Sequence, residues 1–123
     1  MLLILLTLSG CSGNCTSTIV DQVVAPGGRL AAVLFQRDRG ATTGFSTQVS
    51  IIQPEDKPDR TGNVFVADDN HGAASTANWG GPLAETKWLT PNHLLVHYAQ
   101  NSRVFEQNDQ VSEVRMTYEP IAR

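Results

Sequence analysis

The chain has 123 residues, enough for one domain, and a formal net charge of −3 from 9 basic and 12 acidic side chains, a balance that speaks against a nucleic-acid partner. Hydrophobic residues make up 41% and charged residues 17%, which excludes a disordered polyelectrolyte. Two cysteines exclude a disulfide scaffold and a four-thiolate zinc site, and the longest apolar run, residues 1–8, falls short of the about 20 residues that span a bilayer.

The chain opens Met1-Leu2-Leu3-Ile4-Leu5-Leu6-Thr7-Leu8, continues Ser9-Gly10-Cys11, and meets its first charged residue at Asp21. An apolar stretch followed by small residues is the core of a secretory leader. A buried helix would show a polar face, and residues 2–8 have none. Leu8-Ser9-Gly10-Cys11 resembles the bacterial lipoprotein box. That resemblance implies cleavage before Cys11, a diacylglyceryl group on its sulfur and acylation of the new amine. One acyl chain holds a protein at a membrane only marginally, whereas two or three hold it stably. Ser12, rather than the Asp that resembles an inner-membrane retention signal, leans towards the outer membrane. No Lys or Arg precedes the apolar run, a departure from the family pattern. The expected organisation is a leader over 1–10, a polar tether over 11–18 and a single β domain over 19–123. Cys15 follows Ser12-Gly13-Asn14, which lacks the leucine of the box. It reads as a spare thiol or a second acylation site rather than a catalytic one, because no Cys-His arrangement would lower its pKa.

Beyond the tether the pattern is strand-like. Residues 18–24 are rich in β-branched side chains, and Pro26-Gly27-Gly28 marks a turn. Residues 30–37 are apolar on both faces, as in a central strand buried on two sides. Residues 45–52 alternate and predict a half-buried strand. A charged loop over 54–62 leads to a short strand over 63–67, and 67–82 reads as loop without periodicity. Strands over 83–89 and 93–98 flank Thr90-Pro91-Asn92, a hairpin signal. Residues 103–106 suit a short edge strand, and 111–118 form a last strand with Val114, Met116 and Tyr118 on one face. No helical spacing persists beyond two turns. The expected fold is all-β, six to seven mostly antiparallel strands in a sandwich or strongly curved sheet with hairpin connections.

Ala25-Pro26-Gly27-Gly28-Arg29-Leu30-Ala31-Ala32-Val33-Leu34-Phe35 and Trp88-Leu89-Thr90-Pro91-Asn92-His93-Leu94-Leu95-Val96 resemble hairpins of periplasmic β-propeller blades. The chain is too short to close a propeller, so the likeness is one of hairpin chemistry. The run from Phe35 to Ser50, with Asn63-Val64-Phe65-Val66-Ala67-Asp68 and His71-Gly72, resembles a family of small bacterial proteins of unknown function over most of 23–118. In that family a cysteine often stands where this chain has Arg39, and it could pair with a cysteine near Cys15. Arg39 removes that bridge here, and the family lends no activity.

Several residues could carry chemistry. Asp68-Asp69-Asn70-His71-Gly72 could contribute carboxylates and an imidazole to a metal or ligand, but it lacks the alternate-ligand spacing of an EF-hand and equally suits a capped turn. His93 and His97 share a strand face at roughly 13 Å, too far to hold one metal. Thr42 and Thr43 lie in a Gly-rich loop that lacks the lysine and helix of a P-loop, and Asp38 stands between Arg37 and Arg39. Phe35, Phe45, Phe65, Trp88 and Tyr98 fall at strand spacing and predict core. Trp79, in a Gly-rich loop, is either a partner contact or a lid packed on the core.

The reading that follows is a lipid-anchored envelope protein, fixed at Cys11, with a non-catalytic β domain facing the periplasm or exterior. Its expected partners are the membrane, through the anchor, and an envelope protein, through loops 37–44 and 67–82. The candidate contacts are Arg37, Asp38, Arg39, Thr42, Thr43, Asp68, Asp69, His71 and Trp79. No catalytic set, metal site, cofactor or nucleic acid is expected. The alternatives are a metal-dependent or other enzyme using Asp68, Asp69 and His71, and a periplasmic inhibitor or immunity protein.

Overall fold

The structure, a computed structural model, describes residues 16–38 and 45–122. Among these the fold is all-β, with nine strands: β1 Thr16–Val24, β2 Ala31–Asp38, β3 Phe45–Ile52, β4 Phe65–Asp68, β5 Ala84–Thr90, β6 His93–Ala99, β7 Arg103–Gln107, β8 Gln110–Val111 and β9 Val114–Ile121. They form a five-stranded sheet in the order β1-β2-β3-β4-β7 and a four-stranded sheet in the order β5-β6-β9-β8. All pairs are antiparallel except β6 with β9. The short edge strand expected over 103–106 forms, and the strand expected over 111–118 is divided by a turn in which Ser112 takes a φ of 54°, so the count reaches nine rather than six to seven. The expected leader and both cysteines, with Arg39, Thr42 and Thr43, lie outside the described residues. β1 begins at Thr16, opposite Asp38, so the end of the expected tether is drawn into the sheet by its partner strand.

The β1–β2 hairpin forms where Pro26-Gly27-Gly28 predicts it. Gly28 N–H donates to the Ala25 carbonyl at 2.9 Å, and Gly27 has φ 95°. Pro at the second position and a positive-φ glycine at the third is the pattern of a type II turn. β2 lies between β1 and β3, and Ala31, Ala32, Val33, Leu34 and Phe35 are all buried, as its two apolar faces require.

β3 departs from its expected half-exposure. Val49 and Ile51 face the core, but Ser46, Gln48 and Ser50 on the other face are buried too. The connection between β3 and β4 folds over them. Gln48 Nε2 donates to Ser46 Oγ at 2.8 Å, and Gln48 Oε1 accepts from Gly62 N–H at 2.7 Å. Ser50 Oγ accepts from Asn63 N–H, and the Asn63 side chain brackets Ile51, accepting its N–H at 2.8 Å and donating to its carbonyl at 3.0 Å. Each buried polar group thus finds a partner, which makes the burial tolerable. A Cβ at Gly62 would fall 2.8 Å from the Val49 carbonyl and 2.9 Å from that of Phe65, so only glycine permits this approach.

The two sheets share one core. Ala32, Leu34, Val49, Ile51, Phe65 and Ala67 from the first meet Ala84, Leu94, Val96, Val114 and Met116 from the second. Phe65 is fully buried and stacks obliquely on Tyr98 and Tyr118, with ring centroids 5.3 and 6.1 Å away. Trp88 and Tyr98 pack on this cluster, as expected of them. Phe35 is buried but lies outside it, on the same face as Gln48, its cross-strand partner. Phe45 corrects the expectation: it is 40% exposed, because it starts β3 at the margin of the sheet. Two polar ties join the sheets at their ends. Trp88 Nε1 donates to the Val23 carbonyl at 2.8 Å, and the Tyr118 hydroxyl lies 2.9 Å from the Val64 carbonyl and 2.5 Å from that of Asn108. Burial, then the neighbouring Asp109 charge, pushes the Tyr118 phenol well above its ordinary value, so it stays a neutral donor.

Candidate functional site

β4 and β7 carry the site. Their register sets Asp68 opposite Arg103 and Val66 opposite Glu106, with an irregularity between Val66 and Ala67 that leaves Phe105 out of the pairing. A bulge of this kind re-aims side chains at a sheet edge, and β7 is the edge of its sheet. A groove of about 490 Å³ opens there, lined by Phe45 and Ser46 at the start of β3, Thr61, Val66, Asp68, the turn residues Asp69 and His71, and Arg103, Phe105 and Glu106.

A charge pair organises the groove. Arg103 Nη2 donates to Asp68 Oδ2 at 2.5 Å, and its Nε reaches both carboxylate oxygens at 3.2 Å. The Asp68 side chain is 14% exposed and that of Arg103 46%. Partial burial acts to raise the Asp68 carboxyl. The Arg103 hydrogen bonds, the Asn70 amide and the nearby Arg103 and His71 charges outweigh it and hold the group below the usual carboxylate range. The Arg103 guanidinium also lies 5.2 Å from the centroid of the Phe105 ring. That geometry is a cation–π contact.

The turn after β4 is tightly built. Asp68 Oδ1 accepts from Asn70 N–H at 2.9 Å, and the Asn70 side chain donates to the Asn101 carbonyl at 3.1 Å, latching the turn to the β6–β7 connection. Ala73 and Ala74 donate to the Asn70 and Asp69 carbonyls. These bonds hold Asn70 and His71 at φ 55° and 57°, in the left-handed region. Side chains other than glycine enter that region at a cost of roughly 1–2 kcal/mol. His71 is exposed at the mouth of the groove.

Of the residues singled out in the sequence, Asp68, Asp69 and His71 come together here. Arg37 and Asp38 end β2, directly across from Ser46 and Phe45, and so border the groove without lining it. Arg37 Nη1 is buried with no hydrogen-bond partner among the described residues. Trp79 is elsewhere. It packs on the core, its indole N–H donates to Thr47 Oγ1 at 2.8 Å, and Thr47 in turn donates to the Pro82 carbonyl at 2.6 Å. That is the lid arrangement. His93 and His97 point away from each other's partners: His93 bonds Thr117 and Arg115, and His97 bonds Glu119. Among the described residues no group of three or more His, Cys, Asp or Glu side chains could hold a metal ion.

Phe45, Thr61, Arg103, Phe105 and Glu106 line the groove without having been singled out for it. The stretch Arg103-Val104-Phe105-Glu106 suits a short edge strand, but the pairing of Arg103 with a carboxylate 35 residues earlier is set by topology and has no local signal. No protein-family model matches the chain, and no curated protein or solved structure matches it. The functional reading therefore rests on the residues themselves.

Proposed function

We propose that this is a lipid-anchored protein of the bacterial cell envelope, held at Cys11, whose β domain docks an envelope partner through the groove between β3, β4 and β7 and performs no catalysis. The observation that carries the docking role is that two large apolar side chains, Phe45 at 40% exposure and Phe105 at 54%, line one groove beside a charge pair. Exposed aromatics next to an Arg match the enrichment of aromatic and Arg side chains at binding hot spots. Three hydrogen bonds tie the Asp68 carboxylate to Arg103. That commitment favours binding over the enzyme reading, since a general base or metal ligand needs its lone pairs available. The anchor reading is supported by the Leu8-Ser9-Gly10-Cys11 box after an apolar run.

Fractionation of cells making the wild type and Cys11→Ser tests the anchor. The wild type is expected with membranes and the variant in the soluble fraction. A wild type that fractionates with the soluble proteins overturns it.

A further inference from the structure

The two sides of the sandwich are closed differently. On the β7–β8 side the chain itself passes between the sheets, where Asn108 N–H donates to the Val64 carbonyl and Met116 N–H to that of Asp109. On the other side the edges are β1 and β5, and the sheets are unequal. β5 lies over β2, with Ala84 in the same core as Ala32 and Leu34. β1, one strand further out, therefore has no strand of the second sheet above it. The space left there is an open cleft of about 640 Å³, with Val20, Leu34 and Trp79 on its apolar side and Ala84 and Thr86 of β5 along its wall.

β5 is also the most regular of the four edges. β1 has a register shift at Val20 and β7 one at Phe105, and β8 has two residues. Bulges and shortness discourage further pairing at an edge. β5 pairs with β6 unbroken from Ala84 to Trp88. The Leu83 carbonyl accepts from Ala99 N–H at 2.8 Å. Antiparallel backbone groups alternate between the two sides of a strand, so those of Glu85 and Lys87 face β6 and those of Ala84, Thr86 and Trp88 face the open edge. Among the described residues no backbone group pairs with them there. Side chains alternate too: Ala84, Thr86 and Trp88 turn inward, and Glu85 and Lys87 are exposed. Asp21 and His97 stand at the margin of the cleft, His97 bonded to Glu119.

We infer that β5 takes up one extended segment of a partner protein as an added antiparallel strand lying over β1. The segment turns an apolar side chain into the cleft opposite Thr86, with an acidic residue opposite Lys87 and a basic residue opposite Glu85. Main-chain hydrogen bonds supply affinity in such additions, and alternate side chains supply specificity. Opposite charges facing across a strand pair favour the pairing, and like charges oppose it. The place over β1 is one strand wide, so a free segment fits it, whereas the β5 of a second copy would bring its own β2 onto β1. This surface is separate from the groove at β7, and the inference does not depend on the docking role proposed above.

The test is an NMR titration of the full chain in neutral detergent micelles with three blocked pentapeptides. They are Thr-Glu-Val-Lys-Thr, its charge-swapped form Thr-Lys-Val-Glu-Thr, and the first peptide with its valine N-methylated. The first is expected to shift amides of residues 84–88 and 20–21 and to bind roughly threefold or more tightly than the swapped form. N-methylation, which removes the amide that would donate to the Thr86 carbonyl, should abolish binding. Glu85→Lys/Lys87→Glu should reverse the preference while keeping a dispersed, folded spectrum. Equal or reversed preference in the wild type, binding that survives N-methylation, shifts confined to other faces, or no shift with a folded spectrum overturns the inference. Shifts of the same β5 amides with protein concentration, in the absence of peptide, would assign the edge to a second copy and overturn it as well.

Discussion

Gln48 and Ser50 on β3 and Asp68 on β4 belong to neighbouring strands of one sheet, yet their surroundings are finished differently. Around Gln48 and Ser50 the chain folds back, and backbone amides of Gly62 and Asn63 answer each side-chain oxygen. Around Asp68 the closure is partial, with one backbone amide, that of Asn70, on Oδ1. A guanidinium answers the carboxylate, two phenyl rings stay part-exposed, and two more carboxylates face the same space. Polar groups matched to backbone make a surface that is complete and inert. Polar groups matched mainly to an exposed side chain, beside exposed rings, make one that can still gain by contact.

The sealed side should be the more sensitive to substitution. Gly62→Ala drives a Cβ against two backbone carbonyls that have no flexible end to move. It is expected to cost about 2–3 kcal/mol, within the usual range for overpacking, read as a lowered urea midpoint. A cost near zero would mean that the 61–63 segment is not held against β3.

The open side should respond less, and through pH. The Asp68 carboxyl is lowered in the folded protein, so the unfolded chain binds its proton first as pH falls. The stability it contributes is present above its unfolded value, 3.8, and is lost as pH drops through the lower folded value. Asp68→Asn is expected to lower the melting temperature by about 2–4 °C at pH 6 and to make almost no difference at the acid end of that window. An offset that persists unchanged into acid would assign the loss to packing rather than to the charge pair.

The smallest effect should be a gain. His71 is exposed at φ 57°, so His71→Gly relieves the backbone and is expected to stabilise by about 0.5–1 kcal/mol in the same denaturation measurement. A loss instead would show that the imidazole helps to build the turn, which would make the open side less open than its exposure suggests.

Much of the fold was legible before any coordinates. Two apolar faces placed β2 at the interior of a sheet, and Pro26-Gly27-Gly28 and Thr90-Pro91-Asn92 placed two hairpins. The polar alternation of β3 misled, because period-two patterning reports chemistry and not what lies above the strand. Ser46, Gln48 and Ser50 are buried by a connection whose path the strand itself does not encode. The candidate site was legible in half. Asp68, Asp69 and His71 stood out as a cluster in the chain, whereas Arg103 and Phe105 join them only once β7 pairs with β4. Phe45 illustrates the same limit from the other direction: an aromatic at strand spacing reads as core, but its place at the strand's first residue leaves it open.

The docking role of the groove is tested most directly by placing a photo-reactive phenylalanine analogue at residue 105 in one variant and at residue 29 in another, then irradiating intact cells. Arg29 is a fair control, because its side chain is 75% exposed and lies in the turn between β1 and β2, away from the groove and from the open edge of β5. The account predicts a discrete adduct with one envelope partner from position 105 and none from 29. No adduct from 105, or the same adducts from both positions, would contradict it.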